Sequence, residues 1–209
     1  MYDALIIDWA GTITVPMHEM LLAAAGQLEM SETDIATAFG ELAQYFVSED
    51  SPVHQAERGE LDDDDLAAFI DEQVPGASRL LLDPTGPSFL NGADRPAMIE
   101  LLEDFREADV NVVLATNNFR VAQDLLARRY LDGGLVSAIV NSALIGTRKP
   151  ETAFYEIALE AAGVAAEDAV FVDDQEANLV PARDMGMATV LVGADAGAAI
   201  SILRSQLLR

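Results

Sequence analysis

At 209 residues and 51% hydrophobic composition, the chain is long enough for one good-sized core with a modest insertion and too short for two full domains of typical size. It carries 36 Asp plus Glu against 12 Lys plus Arg, a formal charge of −24, and such a field repels nucleic-acid phosphates and anionic membrane surfaces. Cysteine is absent, which excludes disulfides, thiol catalysis and thiolate zinc sites.

The chain opens on MYDALIIDWAG, where Asp3 and Asp8 stand in place of the basic residues of a secretory leader. No apolar run approaches the roughly 20 residues of a membrane span, so a soluble, cytoplasmic protein, monomeric or homodimeric, is expected. LIID (5–8) reads as a first buried strand. The next seventy residues break the pattern, with helical spacing in MHEMLLAAAGQLEM and DIATAFGELAQYF and no convincing strand. Ser31 fits a helix N-cap ahead of Glu32 and Asp34, and LDDDDLAAFIDEQV starts a helix with an acidic first turn, so the Asp run serves a helix dipole rather than a metal. PGASRLLLDPTGPS (75–88) has the Pro and Gly density of a linker.

From there strands and helices alternate. VVLAT (112–116), SAIVNS (137–142), AVFVDD (169–174) and TVLVG (189–193) are short and rich in Val, Ile and Leu, as buried parallel strands are. Helical spacing fills 93–108, 118–130, 150–162, 177–185 and 196–208. The order predicts a doubly wound parallel α/β sheet with a helical insertion.

Polar residues recur where these strands end. Asp8 closes the first strand ahead of Ala10, Gly11 and Thr12, at the carboxyl edge where open α/β sheets bind ligands. Taken alone, D-x-x-G-T is weak. Thr116 closes the second strand, Lys149 precedes Pro150, and Asp173-Asp174 closes VFVDD. Each has an ordinary reading: a hydroxyl bonded to backbone, a solvated lysine, a helix-capping acid pair. Together they form a nucleophile, a hydroxyl donor, a cation and a metal-binding acid pair, and few functions need that set.

In this order, IIDWAGT, LATN, TRKPETAFYEIAL and VFVDDQEANLVPARDMGM resemble the four motifs of the haloacid dehalogenase-like superfamily. The resemblance implies a Rossmann-like core (1–14 and 86–209) beneath an inserted helical cap (15–85). It further implies a Mg²⁺-dependent hydrolase, a phosphatase of a small phosphorylated metabolite, with Asp8 as nucleophile. Asp8, the Ala10 carbonyl and Asp174 would hold Mg²⁺. Asp173 would reach the ion directly or through water, or pair with Lys149. Thr116 and the N–H of Asn117 would hold phosphoryl oxygens, Lys149 would screen charge, and Trp9 would line the site or pack beneath the cap.

The chain departs from the family's phosphatases at Ala10, where they carry an aspartate that protonates the leaving group. Losing an acid/base group forfeits typically 10²–10⁴-fold. DWAGT looks most like phosphonoacetaldehyde hydrolases, yet their imine-forming cap lysine has no counterpart, because Lys149 is the only lysine. The family's 2-haloacid dehalogenases use no metal and lack the acid pair retained here. A phosphatase whose leaving group needs little help remains, with His18 as a candidate proton donor; a non-catalytic binding protein is the alternative of another class. His54, Arg58 and Arg120 read as ordinary surface or core residues, although either arginine suits a substrate anion.

Overall fold

Five apolar runs line up as one parallel sheet in the computed structural model, which describes residues 2–27, 31, 33, 34, 37, 40, 44–46, 48 and 50–208. The strands are β1 (Ala4–Ile7), β2 (Asn111–Thr116), β3 (Ala138–Asn141), β4 (Ala169–Asp173) and β5 (Ala188–Leu191), in the order β3-β2-β1-β4-β5. A continuous apolar run suits a strand covered on both faces. Accordingly Ala4 and Ile6 of β1 pack with Phe154, Tyr155 and Leu179 on one side, while Leu5 and Ile7 join Leu101, Phe105 and Leu203 on the other. Burying Leu5, Ile6 and Ile7 completely stabilises the fold by about 1.5–3 kcal/mol each.

Helices Thr152–Ala162 and Glu176–Asp184 cover the first face, and Pro96–Glu107 and Gly197–Leu207 the second. This is the doubly wound arrangement expected. Two local expectations change. SAIVNS leaves the sheet after Asn141, whose Oδ1 accepts the Ala143 N–H at 3.2 Å and starts a short helix, Ser142–Ile145. The helix expected over 118–130 divides into Arg120–Ala122, Gln123–Leu126 and Ala127–Leu131. Its last turn widens, with Asp132 N–H reaching the Ala127 carbonyl at 2.9 Å, around the buried Tyr130.

Between β1 and the helix Pro96–Glu107, the described residues include the helices Met17–Gln27, Pro52–Glu57, Asp63–Gln73 and Ser78–Leu82. Most of DIATAFGELAQYF lies outside the described residues, but Ser31 Oγ does accept the Asp34 N–H at 3.1 Å. Asp62 caps the acidic helix by accepting the Asp64 N–H at 3.1 Å, and Asp63 reaches across to the Val121 N–H at 2.5 Å. The stretch read as a linker is instead packed. Leu80, Leu81 and Leu82 are buried on Ser78–Leu82, and the Asp71 carboxylate holds the Ser78 N–H and hydroxyl at 2.9 Å each. Pro and Gly density marked its turns correctly but concealed a three-leucine anchor. Among the described residues, no helix is long and apolar enough to cross a membrane.

Candidate active site

The first and fourth strands are neighbours, Ile7 facing Val172, and the Asp8 N–H extends the ladder to the Val172 carbonyl at 2.9 Å. Register therefore brings Asp8 beside Asp173, at the carboxyl edge between β1 and β4 where the sheet's connections diverge. Lys149 Nζ bridges them, 2.6 Å from Asp8 Oδ1 and 2.7 Å from Asp173 Oδ2. Its backbone is fixed by Asn117, whose Oδ1 accepts the Lys149 N–H at 2.8 Å and whose Nδ2 donates to the Lys149 carbonyl at 3.0 Å. Asp173 also accepts from the Gln175 N–H at 2.8 Å and from Asn178 Nδ2 at 3.0 Å. Asp173 thus pairs with Lys149.

Three acids and one base share this buried space. Burial raises the Asp8 pKa to about 7; Lys149 opposes the rise, and Asp173 and Asp174 add to it. Burial, then Asp173, raises Asp174 to about 6. For Lys149 burial works against the charge, but Asp173 and Asp8 more than reverse it and hold the amine protonated. Carboxylate oxygens of Asp8, Asp173 and Asp174 lie within 4.8 Å of one another, and Asp174 Oδ1 is buried without a hydrogen-bond partner among the described residues. An oxygen donor set with uncompensated negative charge fits a hard divalent cation.

The loop after β1 keeps this geometry. Gly11 has φ 79°, and a Cβ there would collide with the Asp174 carboxylate. Arg95 clamps the loop, donating to the carbonyls of Gly11 at 3.1 Å, Thr14 at 2.9 Å and Ala194 at 2.8 Å. Gly11→Ala is accordingly expected to lower stability by about 1–3 kcal/mol through the strained φ alone and to displace Asp174. Thermal melting and catalytic assay check this; a variant as stable and active as the parent would refute the close approach.

A cavity of about 570 Å³ opens on the cluster, lined by Asp8, Ala10, Asn117, Lys149 and Asp174 of the expected set. Thr116 is fully buried at the end of β2, its Oγ no nearer than 3.4 Å to the Asn117 carbonyl, and it does not line the cavity. Substrate contact by Trp9 is corrected. Its indole is completely buried, donates to Tyr130 Oη at 2.9 Å and packs on Phe89. His18 is exposed and outside the lining. Arg58 instead pairs with Glu151 at 2.6 Å, and Arg120 bonds the Gly59 carbonyl at 3.0 Å, both tying the helices between β1 and β2 to segments that follow β2.

Sequence reasoning missed His54, Glu57 and Arg148, which line the cavity beside Phe46, Phe89 and Phe119. Arg148 adjoins Lys149 in the third motif, a signal that was available. A larger hollow of about 740 Å³, lined by Tyr2, Asp3, Glu107 and Leu207, sits by the amino ends of the strands and holds no comparable constellation.

Fold and site define a doubly wound parallel α/β protein with a buried carboxylate–lysine cluster at the carboxyl edge of its sheet. The chain belongs to the haloacid dehalogenase-like hydrolase family, whose profile matches residues 2–186. It is 31% identical over 139 residues to a sesquiterpene phosphatase of Aspergillus oryzae, covering 64% of this chain and 68% of that one. It is also 31% identical over 103 residues to bifunctional epoxide hydrolase 2 of Rattus norvegicus, which takes in 47% of this chain but 18% of the rat protein. Among solved structures, a HAD family enzyme of Bacteroides thetaiotaomicron in complex with magnesium and inorganic phosphate has the same fold. The TM-score is 0.68 at 17% identity, over 95% of this chain and 99% of that one.

Proposed function

We propose that the protein is a Mg²⁺-dependent phosphatase of a small phosphorylated metabolite, acting through an aspartyl-phosphate on Asp8. The observation that carries this reading is Asp8 lining a cavity, paired to a buried lysine at 2.6 Å, beside an Asp174 carboxylate oxygen with no partner among the described residues. Asp8, the Ala10 carbonyl and Asp174 would hold Mg²⁺, which supplies charge neutralisation for the approach of a carboxylate to a phosphoryl group. Asp8 attacks phosphorus and is later freed by water. Lys149 orients Asp8 and stabilises negative charge on the phosphoryl oxygens, and the Asn117 N–H serves those oxygens in turn. Residues 15–85 act as the cap that carries specificity. The phosphatase name of the Aspergillus relative and the magnesium and phosphate of the Bacteroides enzyme support the reading.

Hydrolysis of p-nitrophenyl phosphate, whose leaving group needs no acid, is the direct test. Turnover is expected with Mg²⁺ and is lost in EDTA, and Asp174→Ala should raise the Mg²⁺ needed by about 10-fold or more. Undiminished turnover in chelator, or release of halide from a 2-haloacid without metal, would sink the proposal.

A further inference from the structure

Ala10 lines the cavity without a proton to give. His54 Nε2 lies 3.1 Å from the Phe46 carbonyl; a carbonyl only accepts, so that nitrogen's proton is already engaged. Glu57 is held as an acceptor by Arg148 Nε at 2.7 Å. The guanidinium itself is different. Only its Nε is bonded, and both terminal amino groups lack partners among the described residues, although Arg148 lines the cavity. A fork fixed at one edge with two free donor groups matches phosphate oxygens. Part of the remaining wall is apolar: Phe89 sits 5.6 Å from the Trp9 ring and 6.5 Å from Phe119, with Met17 and Phe46 also in the lining, while Gln175 and Asn178 contribute amides.

Resting on the phosphatase reading above, we propose that the substrate is a diphosphate monoester of an apolar alcohol, with Arg148 binding the phosphate that leaves. Asp8 bonds to the terminal phosphorus while the bond from that phosphorus to the bridging oxygen breaks. The electron pair stays on the bridging oxygen, which departs as part of a phosphate monoester. Water then attacks the aspartyl-phosphate, its two protons leave on inorganic phosphate, and the Asp8 carboxylate is restored. No acid is required, because a monoester phosphate has a second pKa near about 6, whereas an alkoxide departs from an acid about as weak as water, near 15.7. Arg148 stabilises the charge gathering on that phosphate, and the aromatic wall receives the alkyl body.

The experiment compares n-octyl diphosphate, n-octyl phosphate, n-octanoyl phosphate and p-nitrophenyl phosphate. For the parent protein, kcat/KM for n-octyl diphosphate is expected to exceed that for n-octyl phosphate by about 10²–10⁴-fold, the range of a missing acid, with n-octyl phosphate and inorganic phosphate formed in equal amounts. Arg148→Gln should lower the ratio of diphosphate to p-nitrophenyl phosphate activity by about 10²-fold, and Arg148→Lys, which keeps the charge, should recover part of it. An arginine that merely ties Glu57 to the core would depress both activities alike, and that result overturns the assignment. So does release of octanol and pyrophosphate, or octanoyl phosphate turned over as well as the diphosphate. If Arg148→Gln does not fold, the Arg148→Lys ratio and the parent's substrate ranking decide. Failure of the parent on p-nitrophenyl phosphate would instead strike at the phosphatase reading itself.

Discussion

Asp8→Asn is expected to lower kcat for p-nitrophenyl phosphate by on the order of 10⁴-fold or more, with a melting temperature equal to or above that of the parent. The two halves have one cause. Asp8 is 5% exposed and shares its space with Asp173 and Asp174, and burial raises its pKa to about 7 against an ordinary 3.8. The ionised form needed for attack is therefore the form the fold disfavours, as a reactive site in a water-poor cleft often shows. Asparagine keeps an oxygen for the Lys149 ammonium, now 2.6 Å from Asp8 Oδ1, while Asp173 at 2.7 Å still balances the lysine. One negative charge is removed, and the lysine ammonium keeps both of its acceptors. Activity and thermal melting on the same preparation test the pair. Retained turnover would remove Asp8 from the chemistry, and a large loss of stability would show that Asp8 serves the fold.

The sheet was legible because its signal is local. Runs such as LII and VFV are apolar at every position, which only strands covered on both faces tolerate, and each ends in the polar residue that closes it. Asp8, Asp173 and Lys149 were legible for the same reason: strand ends and a motif place them. What could not be read depends on side chains from distant segments. The Trp9 indole finds Tyr130 across 121 residues, and Tyr130 in turn donates to Asp94 at 2.5 Å. Nothing adjacent to Trp9 announces that network, so cavity and core were equally available to it. Likewise Arg148 and Glu57 meet over 91 residues. The three leucines of Ser78–Leu82 were hidden by flanking Pro and Gly, since turn residues report where the backbone bends and not whether the segment between them is buried.

Lys149→Met is the substitution with the largest expected cost in stability. The side chain is 2% exposed, and its ammonium is bonded to both Asp8 and Asp173. Methionine retains much of the apolar stem, so packing changes little, but two buried carboxylates lose their counter-charge with Asp174 still beside them. Breaking a buried pair by removing one partner costs about 3–5 kcal/mol. For a chain of this size each kcal/mol lowers the melting temperature by roughly 2–4 °C, so a fall of about 6–20 °C is expected in EDTA, together with loss of turnover. Restoring neutrality should restore stability: Lys149→Met combined with Asp8→Asn removes one of the stranded charges and should melt above Lys149→Met alone. A cation bound only by the folded state stabilises it further as its concentration rises. Mg²⁺ should therefore raise the melting temperature of Lys149→Met by more than that of Asp174→Ala, in which the unpartnered ligand is gone. Equal responses would mean that Asp174 is not where the ion is held, and a Lys149→Met protein as stable as its parent in EDTA would mean that the acids are already neutral without the lysine.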